Sequence, residues 1–136
     1  WATDDAFYKC LEKISEENCL HAIKRLAIIN RFYPVYLDLL LADPQGRVIA
    51  ASRPEQFKTA LGGNVSGYPW FTGAMATYSG DNYAADDIFN CPLHGGAPVA
   101  VYSTAVRRGG ELNGEALGVL GVFFDWGGQS RSIVQD

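Results

Sequence analysis

The sequence is poor in the residues from which small catalytic and metal-binding domains are usually built, with two histidines and three cysteines among 136 residues. Three cysteines are too few for a disulfide scaffold, and the odd number leaves at least one thiol unless two chains pair. Basic residues are sparse and scattered. Eleven Lys and Arg stand against 15 Asp and Glu, for a net charge of −4, and only Lys24-Arg25 and Arg107-Arg108 are adjacent. No basic stripe results, so no nucleic-acid partner is expected. Long apolar runs are missing too. The longest, Leu117 to Phe124, contains two glycines, whereas a bilayer-spanning helix takes about 20 residues. The chain is expected to be soluble as it stands, though a fragment of a longer membrane protein would read the same. The opening Trp1-Ala2-Thr3-Asp4-Asp5 is acidic where a signal peptide would be basic. No Gly-x-Gly-x-x-Gly, Gly-x-Ser-x-Gly or Gly-Lys-Ser/Thr pattern occurs, which removes nucleotide-binding and serine-hydrolase readings together.

What is present describes a folded chain. Apolar residues make up 48%, charged residues 19% and aromatics 12%, far from the composition of disordered chains. Residues 1–136 fit a single domain burying roughly two-thirds of its unfolded surface. Phe7, Leu11, Ile14, Ala22, Leu26, Ile29 and Tyr33 recur at steps of three, four or their sums, which predicts one amphipathic helix within residues 1–34, about 40 Å long and ended by Pro34. Leu20, Ile23, Ala27 and Ile28 widen its apolar stripe beyond what one sheet face needs, so pairing with the same helix of a second subunit is expected. On a continuous helix Cys10 and Cys19 lie about 13 Å apart along the axis and on opposite sides, and so do not bridge. Cys91 could pair with either in an oxidising compartment, or all three could be buried thiols.

Strands are expected over Val35 to Ala42, Arg47 to Ser52, Asn82 to Phe89, Pro98 to Arg107 and Ala116 to Trp126, with a short helix near Tyr68 to Met75 that carries Pro69 in its first turn. Asp43-Pro44-Gln45-Gly46 suits a type I turn joining the first two strands. The class is α+β, with a meandering antiparallel sheet in residues 35–126, helices mostly on one face, and a short exit segment over 127–136.

Candidate chemistry is thin. Cys91 and His94 could form a thiolate–imidazole pair or two soft metal ligands, yet no second Cys-x-x-Cys or further loop histidine completes a site. The plainer alternative is a buried Cys beside a solvated turn; no metal and no cofactor are expected. His21 reads as a helix-packing or helix-surface residue, and Asn64-Val65-Ser66 as an isolated match to a glycosylation acceptor. In Asp86-Asp87, strand alternation sends the two carboxylates to opposite faces, so one can look into a cavity. Tyr68, Trp70 and Phe71 place three rings within four residues, and Tyr83 and Tyr102 add phenols, a mixture suited both to small-ligand pockets and to core packing.

The order of segments resembles the Cache family, the PAS-like extracytoplasmic sensor domains of bacterial chemoreceptors, histidine kinases and diguanylate cyclases. The resemblance rests on the first helix, the hairpin Leu39 to Ser52, Tyr68-Pro69-Trp70-Phe71-Thr72-Gly73-Ala74, and Gly118-Val119-Leu120-Gly121-Val122-Phe123-Phe124-Asp125-Trp126. It implies a five-stranded PAS-like sheet, transmembrane segments flanking this chain, a periplasmic location and a small ligand held between the sheet and the helical excursion over it. Amino-acid-binding members carry an Arg where this chain has Tyr68, and an Asp where it has Phe123. Asp125 lies two residues further along. A neutral, aromatic or amine-bearing metabolite, or an organic acid, is the ligand class left open. The expected site is Tyr68, Trp70 and Phe71 as an aromatic wall, with Tyr83, Asp86, Tyr102, Thr104 and Asp125 as polar contacts and no catalytic residue. The rival expectation is a dimerisation module with a vestigial pocket.

Overall fold

A computed structural model describes residues 4–58, 60–77, 83–111 and 113–125; for Asp86, Asp87 and Asp125 it describes the backbone alone. The expected exit segment 127–136 lies outside these residues.

The long first helix is two helices. α1 spans Asp5–Glu12 and α2 spans Glu16–Phe32. The break has a chemical cause in Ser15, whose Oγ accepts from Asn18 N at 3.1 Å, while Glu16 and Glu17 sit in the first turn of α2. An N-cap serine followed by two acids is a helix start, and here it restarts the chain in a new direction. Asn18 Nδ2 donates to Lys13 O at 2.8 Å, satisfying a carbonyl left open at the end of α1. α1 folds back along α2, and Arg25 Nε meets Asp4 Oδ2 at 2.7 Å across 21 residues of sequence. Asp4 also caps α1 through Ala6 N. Phe7, Leu11, Ala22, Leu26 and Ile29 are buried as the periodicity requires. Ile14 and Tyr33 are about half exposed, because the reversal at 13–15 takes Ile14 off the stripe and Tyr33 lies past the end of α2.

The strands are β1 (Tyr36–Ala42), β2 (Val48–Ala51), β3 (Ala84–Cys91), β4 (Ala97–Arg107) and β5 (Ala116–Asp125). Among the described residues they form one antiparallel sheet in the order β2-β1-β5-β4-β3. That is not the expected meander, since β1 pairs with β5 as well as β2 and β5, the last of the described strands, lies at the sheet's centre. Gly118 permits this approach, for a Cβ there would lie 2.2 Å from Ala42 O.

Both sheet faces are covered, which corrects the expectation of helices mostly on one. On one face α1 and α2 pack Phe7, Cys10, Leu11 and Leu26 against Leu39, Leu41, Val106, Leu117 and Leu120. On the other, the β2–β3 connection and its helix α3 (Pro69–Met75) pack Val65, Trp70, Phe71 and Ala74 against Leu40, Val99, Val101, Val119 and Phe123.

Candidate functional site

α3 starts at Tyr68, with Pro69 fixing the first turn and the Tyr68 carbonyl accepting from Phe71 N and Thr72 N. Trp70 is buried flat against β5 because position 121 has no side chain; a Cβ there would stand 2.9 Å from Trp70 Cζ3. Phe123 meets the indole edge-on at 5.3 Å, Tyr68 stacks on it at 6.4 Å, and Phe89 stacks on Tyr68 at 5.4 Å. Ser103 Oγ donates to Trp70 O at 2.7 Å, tying α3 to β4. Among the described residues Trp70 Nε1 is a buried donor with no acceptor. Burial, with Cys91 nearby, pushes the Tyr68 phenol above its ordinary value, so it stays an O–H donor.

On the same face, beside Phe123, lies a polar chain that the sequence hardly announces. Cys91 Sγ is 3.0 Å from His94 Nδ1, and His94 Nε2 is 2.9 Å from Asp38 Oδ2. Asp38 Oδ1 accepts from Ser52 Oγ at 2.6 Å, Leu39 N at 2.8 Å and Ser52 N at 3.2 Å. Burial alone would lower the His94 pKa, but the contacts to Asp38 and Cys91 outweigh it and raise it to about 9. His94 is therefore an imidazolium at neutral pH, paired with Asp38 and donating to the sulfur.

A thiol, an imidazole and a carboxylate in a row form the arrangement of an activated nucleophile. Here the His94 and Asp38 side chains are wholly inaccessible and Cys91 is 1% exposed, so no substrate reaches the sulfur in this conformation. Both imidazole nitrogens are engaged, and the three groups converge on no common point; among the described residues no set of three or more His, Cys, Asp or Glu could hold a metal ion. The chain of contacts joins β1, the end of β2 and the turn after β3 through the core. Of the two readings of Cys91 and His94, the buried one holds for the thiol, but the turn histidine is in the core and not solvated. Asp38 and Ser52 were missed. The available signal was one acid inside the apolar run Tyr36-Leu37-Asp38-Leu39-Leu40, which a strand buries only with partners.

The eight expected site residues are not gathered in one place. Tyr68, Trp70 and Phe71 lie together on the α3 face. Tyr102 and Thr104 alternate with Val101 and Ser103 and so belong to the opposite face, because residues two apart on β4 share a face and Val101 and Ser103 point to α3. Tyr83 is 71% exposed and its ring lies 6.4 Å from Tyr102. These phenols continue through Phe124, Tyr36 and Tyr33 as a line of ring contacts over the sheet's outer surface, which accounts for them as cross-strand packing. Asp86 lies in β3 and Asp125 ends β5, with side chains outside the described residues. His21 is exposed on α2, and Asn64 closes an exposed turn by accepting from Ser66 N at 3.0 Å.

No family model and no curated protein matches the chain. Solved structures do. The sensor domain of the Vibrio cholerae histidine kinase DctB superposes with a TM-score of 0.76 at 20% identity, over 91% of this chain and 44% of that one. The ligand-binding domain of the Pseudomonas fluorescens chemoreceptor CtaA in complex with L-serine gives 0.64 at 16% identity, over 94% and 50%. That of the Campylobacter jejuni chemoreceptor Tlp3 in complex with 4-methylisoleucine gives 0.62 at 21% identity, over 91% and 50%. The chain has the fold of these histidine-kinase and chemoreceptor sensor domains. It spans about half the length of each of these neighbours.

Proposed function

We propose that this chain is a small-molecule-sensing module in the extracytoplasmic, periplasmic input region of a transmembrane signalling protein of chemotaxis or two-component type, acting without catalysis. The observation that carries the reading is Trp70 Nε1, a buried donor left without an acceptor among the described residues inside a wall made by Tyr68, Trp70 and Phe71. An unsatisfied buried N–H costs about 1–3 kcal/mol, which a ligand oxygen would recover once α3 moves off β5 to admit it, since Trp70 is 1% exposed in this conformation. The Tyr68 hydroxyl offers a second neutral donor in place of a guanidinium clamp. Asp86 from β3 and Asp125 from β5 are the proposed partners of a ligand amine. An amine or organic acid with an aromatic or apolar body fits these groups. A ligand lodged between α3 and β5 would act on β5, and through it on the segment that follows.

A second reading, a dimerisation module, draws on α2. Leu20, Ile28 and Phe32 lie at steps of eight and four and are 50%, 41% and 75% exposed, an apolar stripe on which a second copy would pack. The two readings coexist if ligand binding alters a dimer's geometry.

Thermal unfolding across amino acids, amines, organic acids and purines tests the first reading, since a ligand at 100 times its Kd adds about 2.7 kcal/mol. A shift confined to one chemical class is expected. Trp70→Phe, which keeps a ring and removes the donor, should weaken that ligand more than tenfold. A flat response, with mass spectrometry of the denatured chain releasing nothing, would overturn sensing in favour of dimerisation.

A further inference from the structure

The helix break at 13–15 has a chemical consequence. On one continuous helix Cys10 and Cys19 would face apart, but in the helical hairpin they meet, with their sulfurs 3.8 Å apart. We propose that Cys10 and Cys19 are a redox-active thiol pair that closes to an intrachain disulfide, fastening α1 to α2 at the site of their reversal.

Three observations support the pair. The hairpin is held by contacts independent of the sulfurs, namely Asp4 with Arg25 at one end and the Ser15 and Asn18 caps at the other, so the approach does not depend on the bond it would allow. Cys10 lies on the buried side of α1, wholly inaccessible among Phe7, Leu11 and Leu26, whereas Cys19 is half-buried. Cys19 also lines an open cleft of about 670 Å³ between α2 and β2, with Ile14, Leu20, Ile23, Val48, Ile49 and Leu61 among its walls. An oxidant therefore reaches one sulfur of the pair, and the other stands behind it. Cys91 belongs to the opposite core and is engaged by His94, so it does not compete.

The chemistry is exchange with an external disulfide, protein-borne or small. The Cys19 thiolate attacks one sulfur of that disulfide and expels the other as a thiolate, leaving a mixed disulfide on Cys19. Cys10 loses its proton and attacks Cys19 Sγ, a Cys10–Cys19 bond forms, and the second external thiolate leaves. The two protons released end on the two external thiols. Two electrons pass from the cysteine pair to the external disulfide. Cys19, the sulfur that lines the cleft, takes the first attack and the buried Cys10 resolves it, in keeping with burial, aided by the adjacent Cys19, pushing the Cys10 thiol up to about 12. The bond joins residues nine positions apart at a place where the chain already reverses, so it adds to the hairpin rather than distorting it. The inference is independent of ligand binding and stands even if the sensing reading fails.

The test incubates the purified full chain with oxidised glutathione, blocks remaining thiols, and maps tryptic peptides. Cleavage after Lys9, Lys13 and Lys24 places the two cysteines on separate peptides, 10–13 and 14–24. A cross-link between them, two hydrogens lighter than the pair, is the expected product, with Cys91 carrying the blocking group added after denaturation. The oxidised chain should also melt roughly 5 °C or more above the reduced one, a difference absent from Cys19→Ser. Cys19 is the half-buried partner, so its replacement keeps the fold, and Cys10→Ser should trap glutathione on Cys19. The proposal is overturned if all three cysteines remain thiols, if Cys91 takes part in the cross-link, or if wild-type Cys19 keeps glutathione that Cys10 fails to displace.

Discussion

Stability of this domain should fall as the solution turns alkaline, through a histidine in its core. His94 is protonated in the folded state with a pKa raised to about 9, against 6.5 for an unperturbed imidazole. Because the folded value is the higher one, the contribution to stability is complete below pH 6.5 and is lost as pH rises from there through 9. At 1.36 kcal/mol for each tenfold difference in proton affinity, the loss over that window is about 3 kcal/mol. That is a large share of the 5–15 kcal/mol typical of a domain. The steepest slope, about 1.4 kcal/mol per pH unit, should lie between pH 7 and 9. Cys10 acts in the same direction only above its ordinary value of 9.0, so measurements ending there isolate the histidine. Urea unfolding followed by tryptophan fluorescence at intervals from pH 6 to 9 reads the effect directly, provided the dependence on urea stays constant. His94→Gln should be less stable throughout and should lack the slope. A wild-type unfolding free energy flat across this range, or an equal slope in the variant, would refute the assignment of His94 as a buried cation held by Asp38.

Further predictions concern packing and reactivity. Gly121→Ala places a Cβ 2.9 Å from Trp70 Cζ3 and should cost about 1–3 kcal/mol, seen as a melting point several degrees lower; an unchanged melting point would show that the indole has room to retreat. Cys91 is buried, so alkylation in the native state should be slower than that of a model thiol, with the rate rising on denaturation. Fast labelling would revive a nucleophilic role for the Cys91, His94 and Asp38 row.

Much of the local structure was legible because it is written in residues close in sequence. The Asp43 to Gly46 turn is made as its residues require, with Asp43 Oδ1 accepting from Gln45 N and Arg47 N at 3.0 Å. Pro69 starts α3. Ser15-Glu16-Glu17 was an equally local signal, and it went unread because the apolar periodicity on either side stays nearly in phase and suggests continuity. The site was less legible. Tyr68, Trp70 and Phe71 are near neighbours in the chain and stay together, whereas Tyr102 and Thr104 lie on the face of β4 turned away from them. Alternation tells which residues share a face and not which face that is, and only the packing of Val101 and Ser103 beneath α3 decides it.

The sequence by itself therefore determined the α+β class, the turn, the helix that carries Trp70, and the two faces of β4 as sets. Each follows from hydrogen bonds and side-chain periods spanning a few residues, where chemistry acts without reference to the rest of the molecule. The tertiary structure alone decided that β5 lies beside β1, that Asp38 meets His94 across 56 residues, and that Cys10 meets Cys19. These contacts depend on chain direction after a break and on strand order. Both are set by the total apolar surface that two faces of one sheet can bury, a quantity no short window of sequence contains.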